Sequence, residues 1–179
     1  MSGGERGLGL RAAELRRAFD RSFADAPHQT TETLVDLLAI RVAGDPYVVR
    51  LADVAGLFVD RVVTPLPTRV PDLLGIAGFR VTLVPVYDLR PLLGYSTGGA
   101  PRWMISTVGE GPIAFAFDLF EEHLRVPHGA LTSDDSRSRR YVQDVARAKD
   151  GARPIVHIPS LVKEIAMRAR QRAAQQEPP

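Results

Sequence analysis

The chain contains no cysteine. That one absence excludes a disulfide scaffold, a thiolate zinc site, an iron–sulfur centre and a cysteine nucleophile. Lysine is nearly missing as well: Lys149 and Lys163 are the only two, so positive charge rests on arginine. No uninterrupted apolar run approaches the roughly 18–20 residues needed to cross a bilayer. The glycine-rich start, residues 1–11, lacks the apolar stretch of a signal peptide. A surplus of either charge is also lacking, because 23 basic and 21 acidic side chains leave +2. A dedicated nucleic-acid binder would need a concentrated basic face. What the chain does have is apolar content, 45% of 179 residues. That is enough for one domain, or for two small subdomains sharing a core. The expectation is a soluble cytoplasmic protein with no membrane insertion.

Catalytic patterns are absent too. His28, His123, His128 and His157 do not stand at metal-ligand spacing, and His157 falls in an apolar run, as a structural histidine does. Glu121 and Glu122 are neighbours. On a strand they point to opposite faces and cannot act as an acid/base pair. Asp134 and Asp135 read as a solvated charge run. No serine stands in a G-x-S-x-G elbow, and the early glycines have no strand before them to build a phosphate cradle. The expectation is a binding protein without catalytic residues, metal or cofactor.

The order of elements follows from periodicity. Leu8, Ala12, Leu15, Phe19 and Phe23 share one face of a helix that Pro27 ends. From residue 34 the period drops to two. Residues 38–42 and 47–51 alternate around Gly44-Asp45-Pro46, which predicts a hairpin. Further strand-like runs lie at 57–63, 79–86, 102–108, 113–117, 141–147 and 153–158, separated by Gly/Pro turns. Residues 132–140 read as an exposed loop. Ser160 is the expected N-cap of a last helix with Leu161, Ile165 and Ala169 on its apolar stripe. Many short strands joined by Gly/Pro turns indicate barrels or a sandwich, not a doubly wound sheet. Small barrels often bind nucleic acid, but Trp103 beside Arg102 and the pair Phe115 and Phe117 are the only candidate stacking groups. Phe115 and Phe117 alternate with Ala114 and Ala116, a pattern suited to core burial.

Residues 75–94 read GIAGFRVTLVPVYDLRPLLG. Phe79, Val81 and Leu83 would face one side of a strand. Pro85 cannot donate to a ladder and marks an edge or bend. Asp88 suits a turn or N-cap before a short helix from Leu89 that Gly94 stops.

This segment resembles the CheW-like family of chemotaxis coupling proteins: Gly75, Arg80, Pro85, Asp88, Leu89 and Gly94 match its central motif in register. Residues 38–51 look like the opening hairpin, 65–67 like the Pro-containing approach, 113–118 like the strand ending in Asp, and 141–161 like the last hairpin and closing helix. Departures are Gly78 where Asn is usual, Val81 where Gly is usual, and His157 where Asp is frequent. The resemblance implies a mainly β fold of two five-stranded SH3-like β-barrel subdomains sharing a hydrophobic core, with an added N-terminal helix and a C-terminal helix. It divides the chain into 1–33 (tail and amphipathic helix), 34–165 (the CheW-like domain) and 166–179 (polar tail). It also implies a non-enzymatic adaptor in two-component signalling. Such an adaptor couples the cytoplasmic tip of a methyl-accepting chemoreceptor to the regulatory domain of a CheA-type histidine kinase, within an array at the inner face of the membrane. The alternative is a divergent paralogue that binds only one partner and inhibits or insulates kinase signalling. By position, the resemblance puts Val54, Gly56, Leu57, Gly75, Arg80 and Phe120 at partner contacts. Arg80 stands out, since an arginine beside apolar residues is a common interface anchor.

Overall fold

A computed structural model describes residues 33–79, 81–109, 111–133, 141–148 and 151–175. The chain divides into two units, Met1–Thr33 and Leu34–Pro179, and every described strand and helix belongs to the second. The expected helix over residues 8–23 lies outside the described residues, as does Arg80.

The elements, in chain order, are β1 (Leu34–Val42), β2 (Asp45–Arg50), a 3-10 turn (Leu51–Asp53), β3 (Val54–Val59), β4 (Val63–Thr64), β5 (Leu73–Phe79), β6 (Thr82–Asp88) and α1 (Leu89–Leu92). After them come β7 (Trp103–Thr107), β8 (Ala114–Phe117), β9 (Leu119–Pro127), a 3-10 turn (His128–Ala130), β10 (Leu131–Ser133), β11 (Val142–Ala148), β12 (Gly151–Val156) and α2 (Ile158–Gln175). They form two sheets. The first runs β10-β11-β12-β2-β1-β9 and the second β3-β7-β8-β6-β5-β4. The protein is therefore mainly β with two subdomains. Each sheet counts six strands, including the two-residue β4 and the three-residue β10. Both sheets curl. β9 comes round towards β11 in the first, and in the second the Phe58 ring of β3 meets Phe79 of β5 edge-on at 4.6 Å.

Strand faces explain the apolar runs. Along β8, Ala114 and Ala116 fill the inside of the second sheet, while Phe115 and Phe117 point into the seam between the sheets. β1 does the same in the first sheet: Leu37 and Ala39 line its inner core, and Leu38, Ile40 and Val42 enter the seam. Small residues suit the tight inside of a curled sheet and large ones the wide seam. Each fully buried Phe or Leu contributes about 1.5–3 kcal/mol. Tyr47, Val49, Leu89, Ile105, Val156, Ile158 and Leu161 complete this shared core. Phe115 and Phe117 are completely buried, as their alternation with alanine predicts.

The first hairpin forms as expected, but its turn is Ala43-Gly44, with φ of 54° and 87°. Two consecutive positive φ values make a type I′ turn, whose twist matches that of the flanking strands. A polar clasp then ties the sheets together. The buried Arg90 guanidinium sits beside Asp88 at 3.2 Å and Asp118 at 3.7 Å and donates to the Gly99 carbonyl. Asp118 accepts from the Ala43 backbone N–H at 2.6 Å. Tyr95 donates to Asp45 and lies 2.7 Å from the Tyr47 hydroxyl. Burial, reinforced by the hydrogen bond to Asp45, raises the Tyr95 phenol well above its ordinary range.

Four expectations change. The run 79–86 is not one strand: Phe79 ends β5 and pairs with Thr82, the first residue of β6, so the chain reverses between them. Phe79 is buried while Val81 and Leu83 are exposed, because a period of two does not carry across a chain reversal. β9 is a nine-residue strand that its polar Glu121-Glu122-His123 centre conceals. Ser133 and Thr132 belong to β10 rather than to a loop. Finally, α2 begins at Ile158, and His157 is its cap. His157 Nδ1 accepts from the Ser160 N–H at 3.2 Å. Leu161 and Ile165 are buried as expected, but Ala169 is exposed.

Other details follow the sequence. Asp88 Oδ1 accepts from the Arg90 N–H at 3.0 Å and caps α1, and Gly94 ends that turn at φ 90°. Pro85 lies opposite Ile76 on β5, while β6 pairs with β8 only from Val86 onward. The missing donor therefore falls where β6 has a single ladder partner.

Candidate functional site

Three of the six expected contact residues meet along the seam. Val54 opens β3 directly after the 3-10 turn, and Val54, Leu57 and Phe120 all pack half-buried on the shared core. Leu57 lies opposite Ile105 and Val59 opposite Trp103, whose ring is 5.5 Å from that of Phe120. The lip of the seam is thus built by β3 and β7 of one sheet and β9 of the other.

The remaining residues stand apart. Gly56 sits at a bulge in β3, where a Cβ would come within 2.8 Å of the Phe58 ring. Its bare backbone makes room for that ring, which meets Phe79 edge-on and carries the Arg61 guanidinium 5.3 Å above its centroid. Gly75 is buried at φ 146°, and a Cβ there would lie 2.1 Å from the Thr64 carbonyl oxygen. Glycine lets the chain leaving β4 at Thr64-Pro65 cross close over β5. Arg80 lies outside the described residues, between Phe79 and Val81 in sequence.

Sequence reasoning missed an exposed apolar row at the far end of the second sheet. β4 pairs Val63 with Ala77, so the register carried one step on places Val62 beside Gly78, and Gly78 lies opposite Leu83. Val62 is 85% exposed, Leu83 70% and Val81 100%. Nothing stands within 4 Å of the position a Gly78 Cβ would take. Gly78 therefore leaves a notch between two exposed aliphatic side chains. The available signal was the run Val81-Thr82-Leu83-Val84, whose apolar residues cannot all face inward from one strand.

Charge surrounds rather than enters this surface. Asp60 takes a bidentate pair from Arg102 at 2.8 and 2.7 Å, which holds its carboxyl below the ordinary range. In the first sheet, Glu121 sits at the bulge of β9 against β1 and binds Arg41 at 2.6 Å and the buried Arg153. Burial works to raise the Glu121 carboxyl, but the hydrogen bonds from Arg153 and Arg41 outweigh it and hold it low. Among the described residues, no group of three or more metal-ligating side chains stands together, and no helix is long and apolar enough to cross a membrane. The arrangement suits contact with other proteins: a rigid pair of sheets with an apolar lip, an apolar row and arginines at their borders.

Comparison with known proteins agrees with this architecture. The family model described as a CheW-like domain matches residues 36–166. The chain belongs to the CheW-like family. The scaffolding protein TtCheW from Thermoanaerobacter tengcongensis is structurally similar to it. The TM-score is 0.62 and the identity 19%, over 68% of this chain and 88% of that one. At that identity the likeness concerns the fold, two SH3-like subdomains in a CheW-like domain. No curated protein sequence matches the chain. The CheW-like match includes five of the expected contact residues among the described ones, and the exposed apolar row.

Proposed function

We propose that this CheW-like protein is a non-enzymatic adaptor coupling the cytoplasmic tip of a methyl-accepting chemoreceptor to the regulatory domain of a CheA-type histidine kinase. It would work in the cytoplasm, within a chemosensory array. Membership of the CheW-like family supports a chemotaxis scaffold in general terms. The observation that carries the reading is the apolar row of Val62, Val81 and Leu83, standing out from a well-packed domain. Exposed aliphatic side chains grouped at one sheet end mark interaction sites. Arg80 is the sequence neighbour of Val81 and Arg61 that of Val62, which suits a docking surface with an apolar centre and a cationic border. Coupling requires that the adaptor favour one arrangement of its two partners over another. The clasp of Arg90, Asp118 and Tyr95 supports this, because it fixes the two sheets relative to each other.

The test is surface plasmon resonance against the regulatory domain of a CheA-type kinase and against a chemoreceptor tip fragment. Val81→Asp and Leu83→Asp, both at exposed positions, are expected to weaken kinase binding about tenfold or more while leaving the melting temperature unchanged. Equal, tight binding by wild type and both variants would overturn the assignment of this row. Equal binding by Arg80→Ala would remove Arg80 from the interface. Binding of one partner only, with no ternary complex, would replace coupling by insulation.

A further inference from the structure

The last helix offers a second surface that the adaptor reading does not use. α2 has 18 residues, yet its last buried side chain is Ile165. Residues 166–175 continue for about 15 Å beyond that anchor. Lys163, Arg168, Arg170 and Arg172 face a single anion, Glu164, which leaves the helix at +3. The helix dipole favours a cation in the last turn. That accounts for Arg172 in part, but not for Lys163 or Arg168, which lie further back.

Between α2 and the chain before β5 lies a cleft with an apolar floor of Val70, Ile165 and Ala169. Asp72, Tyr87, Arg168 and Arg172 complete its wall. Arg168 is already committed: it binds Glu164 at 2.8 Å and the buried Asp72 at 3.3 Å. Arg168 is shared between the two carboxylates, so Asp72 offsets part of the helix charge, and α2 with Asp72 still carries +2. Arg172 has no hydrogen bond or ion pair among the described residues, and neither has the Tyr87 hydroxyl. Two hydrogen-bond donors therefore stand at the rim of an apolar cleft without an acceptor. A carboxylate fits them, with an aliphatic neighbour on the floor below. Nucleic acid would need a broad basic face, but the whole chain carries only +2. A lipid surface would need a wider apolar face on the helix, where Met167 is the one large exposed apolar residue.

We propose that the cleft between α2 and residues 70–72 docks an acidic segment of a partner protein, with a carboxylate on Arg172 and Tyr87 and an aliphatic side chain over Val70 and Ile165.

The experiment uses the full chain and a fluorescein-labelled peptide Glu-Glu-Leu-Glu-Glu, read by fluorescence anisotropy at low salt. Saturable binding is expected, weakened about fivefold or more by Arg172→Gln and by Tyr87→Phe. Arg147→Gln removes an equal charge from an exposed position on β11 and should leave affinity within about twofold. Lack of binding, or an equal loss in Arg147→Gln, would overturn the proposal. So would tighter, Arg172-dependent binding to phosphatidylglycerol vesicles, which would make the occupant a lipid surface. The kinase and receptor assays are scored separately on Val81 and Leu83, so either reading can fail alone.

Discussion

Gly75 and Gly78 lie three positions apart on β5, and the structure assigns them opposite fates on substitution by alanine. A methyl group at Gly75 would stand 2.1 Å from the Thr64 carbonyl oxygen, 2.7 Å from its carbon and 2.9 Å from Pro65 Cα. A carbon normally approaches a carbonyl oxygen no closer than about 3.3 Å. The backbone at 64–65 would have to retreat by about 1 Å, against the β4 pairing of Thr64 with Ile76 and Val63 with Ala77. The left-handed φ of 146° adds about 1–3 kcal/mol for any side chain. Overpacking adds about 1–3 kcal/mol more. Gly75→Ala should therefore cost about 2–6 kcal/mol, a large share of the roughly 5–15 kcal/mol that holds a domain together. Gly78 is exposed and its added methyl meets nothing. Gly78→Ala should be neutral or stabilise by about 0.4–1 kcal/mol through the unfolded chain. Urea unfolding followed by Trp103 fluorescence measures both, since the sole tryptophan sits at the seam. Each kcal/mol corresponds to about 2–4 °C in a parallel thermal melt. A Gly75→Ala variant as stable as wild type would refute the close crossing at β4. It would also return Gly75 to the set of free contact residues.

Two further outcomes follow from single side chains. The Glu121 carboxyl is held below its ordinary value of 4.5 in the folded state, so its contribution to stability is present above that value. It is lost as pH falls through the lowered one. Glu121→Gln should be less stable at pH 7, with a shallower fall of stability on the acid side, as measured by urea midpoints from pH 7 to 3; parallel acid limbs would count against the Arg41–Glu121–Arg153 network. His157→Ala should cost about 0.5–2 kcal/mol by removing the cap of α2. His157→Asp should keep most of that stability and the slow exchange of the Ser160 amide, and equal exchange in all three proteins would rule out the cap.

The parts of the fold that were legible from sequence are those where neighbouring residues alone decide the structure. Ala-Phe-Ala-Phe in β8 alternates small and large because its two faces meet cores of different width. Asp88 before Leu89-Arg90 spells a capped helical turn without reference to anything distant. β9 was hidden because its partner β1 supplies most of the apolar side chains, and its own Glu121 is satisfied by arginines from β1 and β12. That acceptability depends on contacts remote in sequence. The reversal between β5 and β6 was hidden because Val81 and Leu83 look like core residues until the register with Val62 and Gly78 shows which side they face. The seam site was legible in part: Val54, Leu57 and Phe120 converge there, whereas Gly75 serves the crossing at β4. His157 read as structural, and so it is, though through a helix cap that only the strand end at Val156 reveals.

The order in which the chain visits its sheets sets how the protein can be made. β1 and β2 belong to the first sheet, the chain then builds all of the second, and only afterwards returns with β9 to flank β1. As the nascent polypeptide emerges from the ribosome, its opening hairpin must wait with both outer edges unpaired until β9 has been translated, and with the β2 edge unpaired until β12. The inner module can close first, using only its own strands. The outer one is sealed last, by its late strands and the terminal helix. A premature stop between β8 and β9 would therefore release a chain with a completed inner module and an orphaned, aggregation-prone ribbon ahead of it.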